Sequence, residues 1–441
     1  MAEVFLLRLL YRCLRNSINV GADGICYYQI NKAPELRLVS QKRGLHPRTT
    51  KEPTLPRRAS SSEELFQATL QKLNALSATP LRAISERLST DLAEARCSFL
   101  SKSIAEDELL SLCAYIRDVV DRLPLTFGER FFFDAEFIRA LGRDLARDLP
   151  LSGMVIPRYG REWGHQRLMM PWEKNRKRGH AVHLIHVDGK DQLENVGLLD
   201  YPWMAHEWGH YIMLRHDGPF SEGFQRKLGE VVTSLRLSAI AHRGLVRAKS
   251  QDHIQELIKF WTPSVNHQNW AHELAIDLLS LWTCGPAYLA CFGDHLESQR
   301  PNPYMVEQSH PPYSVRAEAL IEAARLLGLE GYTIRLSEIE ASWEDSEWHD
   351  KRDNHFIGLN NQRIREACIQ SAFDFCESLK LTKCTAAYVE SILSSMRKSA
   401  APKLGLELLI MARAIFVGQG EHAYNQWESA VVASLANELT R

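Results

Sequence analysis

The residues with the clearest chemical pattern are His206, Glu207 and His210, which form an H-E-x-x-H sequence. On a helix, positions i and i+4 lie on one face about one turn apart, so both imidazoles can bind one metal ion. Glu207 projects beside them, where it can take a proton from a metal-bound water. The spacing therefore predicts a metal site on a helix, with Glu207 as its general base.

Such a site needs a third ligand, and His216 is one candidate because it follows His210 by the metzincin spacing. That class has a glycine midway, which turns the chain out of the helix and brings the third histidine round. This chain has Met213 there, inside a segment that a helix tolerates well. A continuing helix would carry His216 off the metal face, so we expect it to interact with the helix dipole instead.

Glu273 is the second candidate, and it lies in the otherwise apolar segment that begins at Trp270. A carboxylate in such a segment is costly unless it is paired or binds a metal. Glu273 shares a helical face with Asp277, which can accept the outer N–H of a ligand histidine and fix its tautomer. The adjacent His272 points elsewhere on the helix and is expected at the surface. We therefore expect one Zn²⁺ held by His206, His210 and Glu273.

These elements, followed by Ser309-His310-Pro311 and Arg316, resemble the gluzincin metallopeptidases. The chain is most similar to the minimal gluzincins related to the CAAX prenyl protease and the bacterial heat-shock membrane protease, with Gly285 also matching, over about residues 198–325. The resemblance implies a zincin-like fold, peptide hydrolysis, and a position near the active site for His310 and Arg316. Two features depart from that family: no membrane-spanning run is present, and a helical insertion separates His210 from the third ligand.

His310 and Arg316 also have a reading from the residues alone. The prolines after His310 fix an extended segment, and a helix can begin near Val315. His310 could then donate a hydrogen bond to the oxyanion that forms on a peptide carbonyl. The alternative is that both residues only cap and pack this junction.

The elements that must position these residues predict a mainly α fold (α+β), in which a zincin-like core with a small β-sheet is flanked by helical regions. Short strands are expected at 154–157 and 180–187, the second beside the active-site cleft, where it could pair with an extended substrate. We divide the chain into a leader and basic linker (1–62), a helical support region (63–150), the metallopeptidase core (151–330) and a C-terminal helical region (331–441).

Composition limits the partners and the compartment. The 53 basic and 54 acidic residues nearly cancel, which argues against general nucleic-acid binding. No apolar run is long enough for a transmembrane helix. Nine irregularly spaced cysteines indicate reduced, mostly buried thiols and favour the cytoplasm. The basic amphipathic N-terminus leaves organelle targeting as the alternative.

Together, these patterns predict a zinc-dependent endopeptidase that acts on a protein or peptide substrate. Glu207 activates the attacking water and returns the proton to the leaving amine. One alternative is a non-catalytic zincin-fold scaffold whose flanking helical regions bind a partner, although such a protein has no need of Glu207. A second alternative is a zinc hydrolase of a non-peptide amide, for which a closed cavity rather than an open groove is expected.

Overall fold

The structure is a computed structural model. It describes residues 62–76, 82–122, 129–145, 153–160, 164–168, 181–188, 197–216, 218–241, 245–263, 269–344, 348, 354–397 and 405–439. The predicted leader and basic linker lie outside the described residues up to residue 61. The described chain is mainly helical, which confirms that part of the predicted fold class.

The described elements fall into two compact units. The first contains α1 (Ser62–Leu76), α2 (Arg82–Leu100) and α3 (Glu106–Arg122). Helix α3 begins with three acidic residues, which favour the positive end of the helix dipole. Its apolar residues recur every three or four positions, and Leu109, Leu112 and Ile116 are buried.

The second unit contains the remaining elements, including every residue predicted to act in the site. Its first helix is α4, which precedes the strands. The other helices follow the strands, with a short 3₁₀ helix at Glu330–Tyr332. The helices are α4 (Glu129–Leu145), α5 (Pro202–His216), α6 (Gly218–Ala241), α7 (Leu245–Trp261), α8 (Trp270–Cys284), α9 (Pro286–Gln299), α10 (Tyr313–Leu326), α11 (Ile334–Glu344), α12 (Asn354–Leu359), α13 (Gln362–Ser378), α14 (Ala386–Arg397), α15 (Leu406–Gln419) and α16 (Glu421–Leu439).

Three strands of the second unit pair in the order β1-β3-β2, where β1 is Gly153–Gly160, β2 is Gly164–Leu168 and β3 is Ala181–Asp188. β3 runs parallel to β1 on one side and antiparallel to β2 on the other. Both of its edges are therefore hydrogen-bonded, so the prediction that this strand pairs with a substrate is wrong. A central strand has no free N–H and C=O groups to offer.

Helix α8 lies at the centre of the core, and every residue of Trp270–Cys284 is buried. The Asn269 side chain caps its start by accepting a hydrogen bond from the His272 backbone N–H at 3.0 Å. The expectation that His272 lies at the surface is wrong, because this side chain is fully buried and its ring lies 5.7 Å from that of Phe220. A helix buried on every side leaves no exposed face for it.

Helix α5 approaches α8 closely at Gly209. A Cβ atom at this position would lie 2.7 Å from Cγ2 of Ile276, so only glycine fits without displacing a buried side chain. The close approach lets side chains from the two helices meet. Among the described helices, none is both long and apolar enough to cross a bilayer.

Candidate metal centre

Three side chains from α5 and α8 converge on one point. The ligand atoms of His206, His210 and Glu273 all lie within 4.8 Å of one another. His206 Nε2 is 3.5 Å from Glu273 Oε2, and His210 Nε2 is 3.8 Å from Glu273 Oε1. Helix α5 continues without a break to His216, which is not part of this group.

Glu273 shows that this arrangement fits a cation. Its side chain is 3% exposed, and its Oε2 atom is buried with no hydrogen-bond partner in the described structure. A buried ionised carboxylate oxygen needs a nearby positive charge, and the two histidine nitrogens that lie 3.5 and 3.6 Å away supply one only when they are protonated. A cation between the three side chains would supply that charge. Two imidazoles and one carboxylate are a donor set that suits zinc and leaves a fourth position open.

The charges around the group keep the Glu273 carboxylate ionised, which is the form that binds a cation. Burial alone would raise its pKa, but the neighbouring His210 and His206 outweigh burial and lower it to about 2. Burial likewise disfavours the protonated form of His206, yet Asp277 and Glu273 raise its pKa to about 10. A metal ion therefore competes with a proton at this imidazole.

Asp277 contacts the His206 ring on its Nδ1 side, opposite the nitrogen that faces Glu273. His206 Nδ1 lies 2.9 Å from Asp277 Oδ1, and because an ionised carboxylate only accepts, the ring donates from Nδ1. Nε2 therefore faces Glu273, and its lone pair becomes available to a metal ion when the ion displaces the Nε2 proton. Burial would raise the pKa of Asp277, but the Arg316 guanidinium outweighs burial and holds it well below the usual range. The predicted role of Asp277, orienting a ligand histidine, fits this contact.

Arg316 contacts Asp277, the residue that hydrogen-bonds to His206, and is not one of the candidate ligands. Its Nε donates to Asp277 Oδ2 at 2.6 Å, and its Nη2 donates to Oδ1 at 2.8 Å. The guanidinium carbon also lies 5.1 Å from the ring centre of Phe292 and 5.5 Å from that of Tyr313. The side chain is buried, and the hydrogen bonds described for Arg316 go to Asp277 rather than to the candidate ligand atoms.

Tyr288 is a part of the site that the sequence did not reveal. Its hydroxyl donates to Asp277 Oδ1 at 2.6 Å, and its side chain is fully buried. Burial, followed by the Asp277 charge, raises its pKa far above the usual value, so the hydroxyl remains a donor. The available signal was weak: a single hydroxyl in an apolar stretch three residues after Gly285.

His310 faces the ligand group from another side. Its Nε2 lies 3.6 Å from Glu273 Oε2, and its Nδ1 lies 2.9 Å from Ser309 Oγ. Burial lowers its pKa, and the opposing charge of Glu273 does not offset this. Glu207 is half-buried on α5, about 60° around the helix axis from His210 at 100° per residue.

Comparisons with protein-family models, with curated proteins and with solved structures found no match to this chain. The chemistry that the site can perform therefore follows from its own residues and distances.

Proposed function

We propose that this protein is a zinc-dependent endopeptidase with a zincin-like core of the gluzincin type. The observation that carries the proposal is the convergence of His206, His210 and Glu273, together with the buried Oε2 of Glu273, which makes no hydrogen bond in the described structure. These three residues would hold Zn²⁺ and leave a coordination position open. When bound there, Zn²⁺ would polarise a substrate carbonyl and acidify a water molecule.

Glu207 supplies the proton transfers in this proposal. It sits on the same helix as the two histidines, and its half-buried position gives it access to solvent and substrate. Its carboxylate takes the proton from the attacking water and delivers it to the leaving amine. A site that only stabilises the fold has no use for this carboxylate, which favours an enzyme over a scaffold.

His310 is proposed to stabilise the negative charge that develops on the carbonyl oxygen. When the Ser309 hydroxyl donates to Nδ1, the ring proton resides on Nε2, the nitrogen that faces Glu273. An N–H at this place can donate to an oxyanion. Its side chain is 39% exposed, so a substrate can reach it.

A peptide is the substrate class that we propose, because strand β2 lies against α5. β2 pairs with β3 along one side, and the structure describes no strand on its other side. An extended peptide can add to such an edge through main-chain hydrogen bonds, which would hold its carbonyl groups beside the H-E-x-x-H helix.

The proposal is tested by metal analysis and cleavage profiling of the full chain. We expect about one zinc per molecule from this ligand set. In cell lysate, the wild type should generate new peptide N-termini, whereas Glu207→Gln should retain zinc and lose about 100-fold or more of the activity. Glu222→Gln is a matched control, since this exposed glutamate lies on the neighbouring helix α6. Absence of zinc, or equal cleavage by Glu207→Gln, would contradict the proposal.

A further inference from the structure

The Asp277 carboxylate is the most heavily hydrogen-bonded side chain around the metal centre. Its Oδ1 receives His206 Nδ1–H at 2.9 Å, Arg316 Nη2–H at 2.8 Å and the Tyr288 hydroxyl at 2.6 Å. Arg316 Nε–H donates to Oδ2 at 2.6 Å. One oxygen therefore carries both the bond that orients a proposed metal ligand and the bond from Tyr288.

The backbone explains how Tyr288 reaches an aspartate eleven residues before it. Helix α8 ends at Gly285, whose φ of 53° lies in the left-handed region. A Cβ at this glycine would lie 2.4 Å from Cys384 Sγ, so packing as well as φ requires glycine. The turn starts α9 at Pro286, and Tyr288 lies in the first turn of α9, where its hydroxyl meets Asp277.

The Tyr288 ring also makes packing contacts, which involve two other aromatic rings. It packs edge-on against Trp203 with ring centres 5.9 Å apart and lies 6.3 Å from the ring of Phe292. Trp203 in turn packs edge-on against the His206 ring at 5.9 Å. These ring contacts place the hydroxyl beside Asp277 Oδ1, to which it donates.

From these contacts we infer that Tyr288 is a positioning residue for the metal centre, which fixes Asp277 Oδ1 in line with His206 Nδ1 so that Nε2 of His206 faces the metal. This inference rests on the proposed function. Tyr288 acts through Asp277 and does not touch the metal, the water or the substrate. Outer partners of metal ligands typically change metal affinity by about 10–100-fold when removed.

The test is the metal affinity of Tyr288→Phe in the full chain, measured by competition with a zinc chelator. The substitution removes one hydroxyl and keeps the ring in its packing. We expect the zinc Kd to rise by about 10–100-fold. The metal-free protein should remain folded and lose only the thermal stability that the one missing hydrogen bond supplied. Tyr424→Phe is the matched control, because it removes a hydroxyl next to the Glu428 carboxylate, far from the metal ligands in sequence and on another helix.

Cobalt provides a second readout that packing alone would not change. Co²⁺ bound in place of zinc has visible absorption bands that report ligand geometry, so Tyr288→Phe should shift them and Tyr424→Phe should not. Wild-type zinc affinity and an unaltered cobalt spectrum in Tyr288→Phe would overturn the inference and leave the proposed function intact. A wild-type chain that binds no zinc would overturn both. Loss of the metal-free fold in Tyr288→Phe would assign the residue to stability and also overturn the inference.

Discussion

The candidate metal centre has two sides that differ in exposure and bonding. The first, here called the buried wall, consists of Asp277, Tyr288 and Arg316, with the Asp277 side chain at 0% and the Arg316 side chain at 7% exposure. The second, the open wall, consists of Glu207, His210 and His310. Here the His210 side chain is 27% exposed and that of His310 is 39% exposed.

This difference separates two tasks. In the buried wall, hydrogen bonds at 2.6–2.9 Å fix Asp277 and, through it, the His206 ring. In the open wall, the side chains of Glu207 and His310 are partly exposed to solvent, where the proposed substrate would bind. We therefore expect changes in the buried wall to act on metal affinity and folding, and changes at Glu207 and His310 to act on turnover. The experiments below test that division.

The largest effect is expected at Glu273, the ligand from α8. Glu273→Ala removes the only carboxylate in the described ligand group, so the zinc content should fall from about one per molecule to near zero and the activity should disappear. Metal analysis after dialysis measures this. His216→Ala is the control, since α5 carries this histidine past the ligand group, and it should retain zinc and activity. The reverse result would replace Glu273 by His216 as the third ligand.

A smaller effect, confined to turnover, is expected at His310. His310→Ala removes the proposed donor to the oxyanion and should lower kcat by about 100-fold or more. The zinc Kd should change little, since His310 is not part of the described ligand group. Steady-state kinetics and chelator competition on the same preparation separate the two quantities. A large loss of zinc with unchanged kcat of the loaded protein would contradict the division between the walls.

Asp277 provides the corresponding test in the buried wall. Asp277→Ala should weaken zinc binding by about 10–100-fold. It also leaves the Arg316 guanidinium buried without its carboxylate, which should cost about 3–5 kcal/mol of unfolding free energy. The double variant Asp277→Ala/Arg316→Met should recover much of that stability but not the zinc affinity. Denaturant unfolding of the metal-free single and double variants measures their free energies of unfolding. Equal stabilities of the single and double variants would show that the ion pair is not what Asp277→Ala disrupts.

The smallest effect is expected where α5 and α8 touch. Gly209→Ala places a Cβ 2.7 Å from Ile276 Cγ2 and should destabilise the fold by about 1–3 kcal/mol through overpacking. Gly229 lies within α6 and has nothing within 4 Å of an added Cβ, so Gly229→Ala should stabilise by about 0.5–1 kcal/mol. Urea unfolding compares the two. A gain in stability for Gly209→Ala would show that the helices do not depend on this close approach.

The sequence indicated the candidate metal ligands more readily than the buried wall. H-E-x-x-H predicts two ligands from local helical geometry, and the cost of burying a carboxylate predicts Glu273 as the third. The mainly helical fold also followed from apolar periodicity. Tyr288 could not be predicted, because its approach to Asp277 depends on the turn at Gly285 and on the packing of Cys384 against it.

Arg316 is an intermediate case. The resemblance indicated that it lies near the active site, but its bidentate contact with Asp277 joins α10 to α8, and no local pattern encodes such a long-range pair. The central position of β3 was missed for a related reason. Strand patterns indicate which residues are extended, whereas the order of strands in a sheet depends on pairing between distant segments.

The unequal exposure of the ligands has a consequence for how a metal ion would enter and leave. The His206 and Glu273 side chains are only 7% and 3% exposed, whereas those of His210 and His310 are 27% and 39% exposed, so we expect the path to solvent to run past His210 and His310. A molecule bound over that side would block exchange of the ion with bulk solution. A bound peptide should therefore slow the extraction of the metal by a chelator. This is an effect on the rate of metal release and does not require a change in the metal Kd.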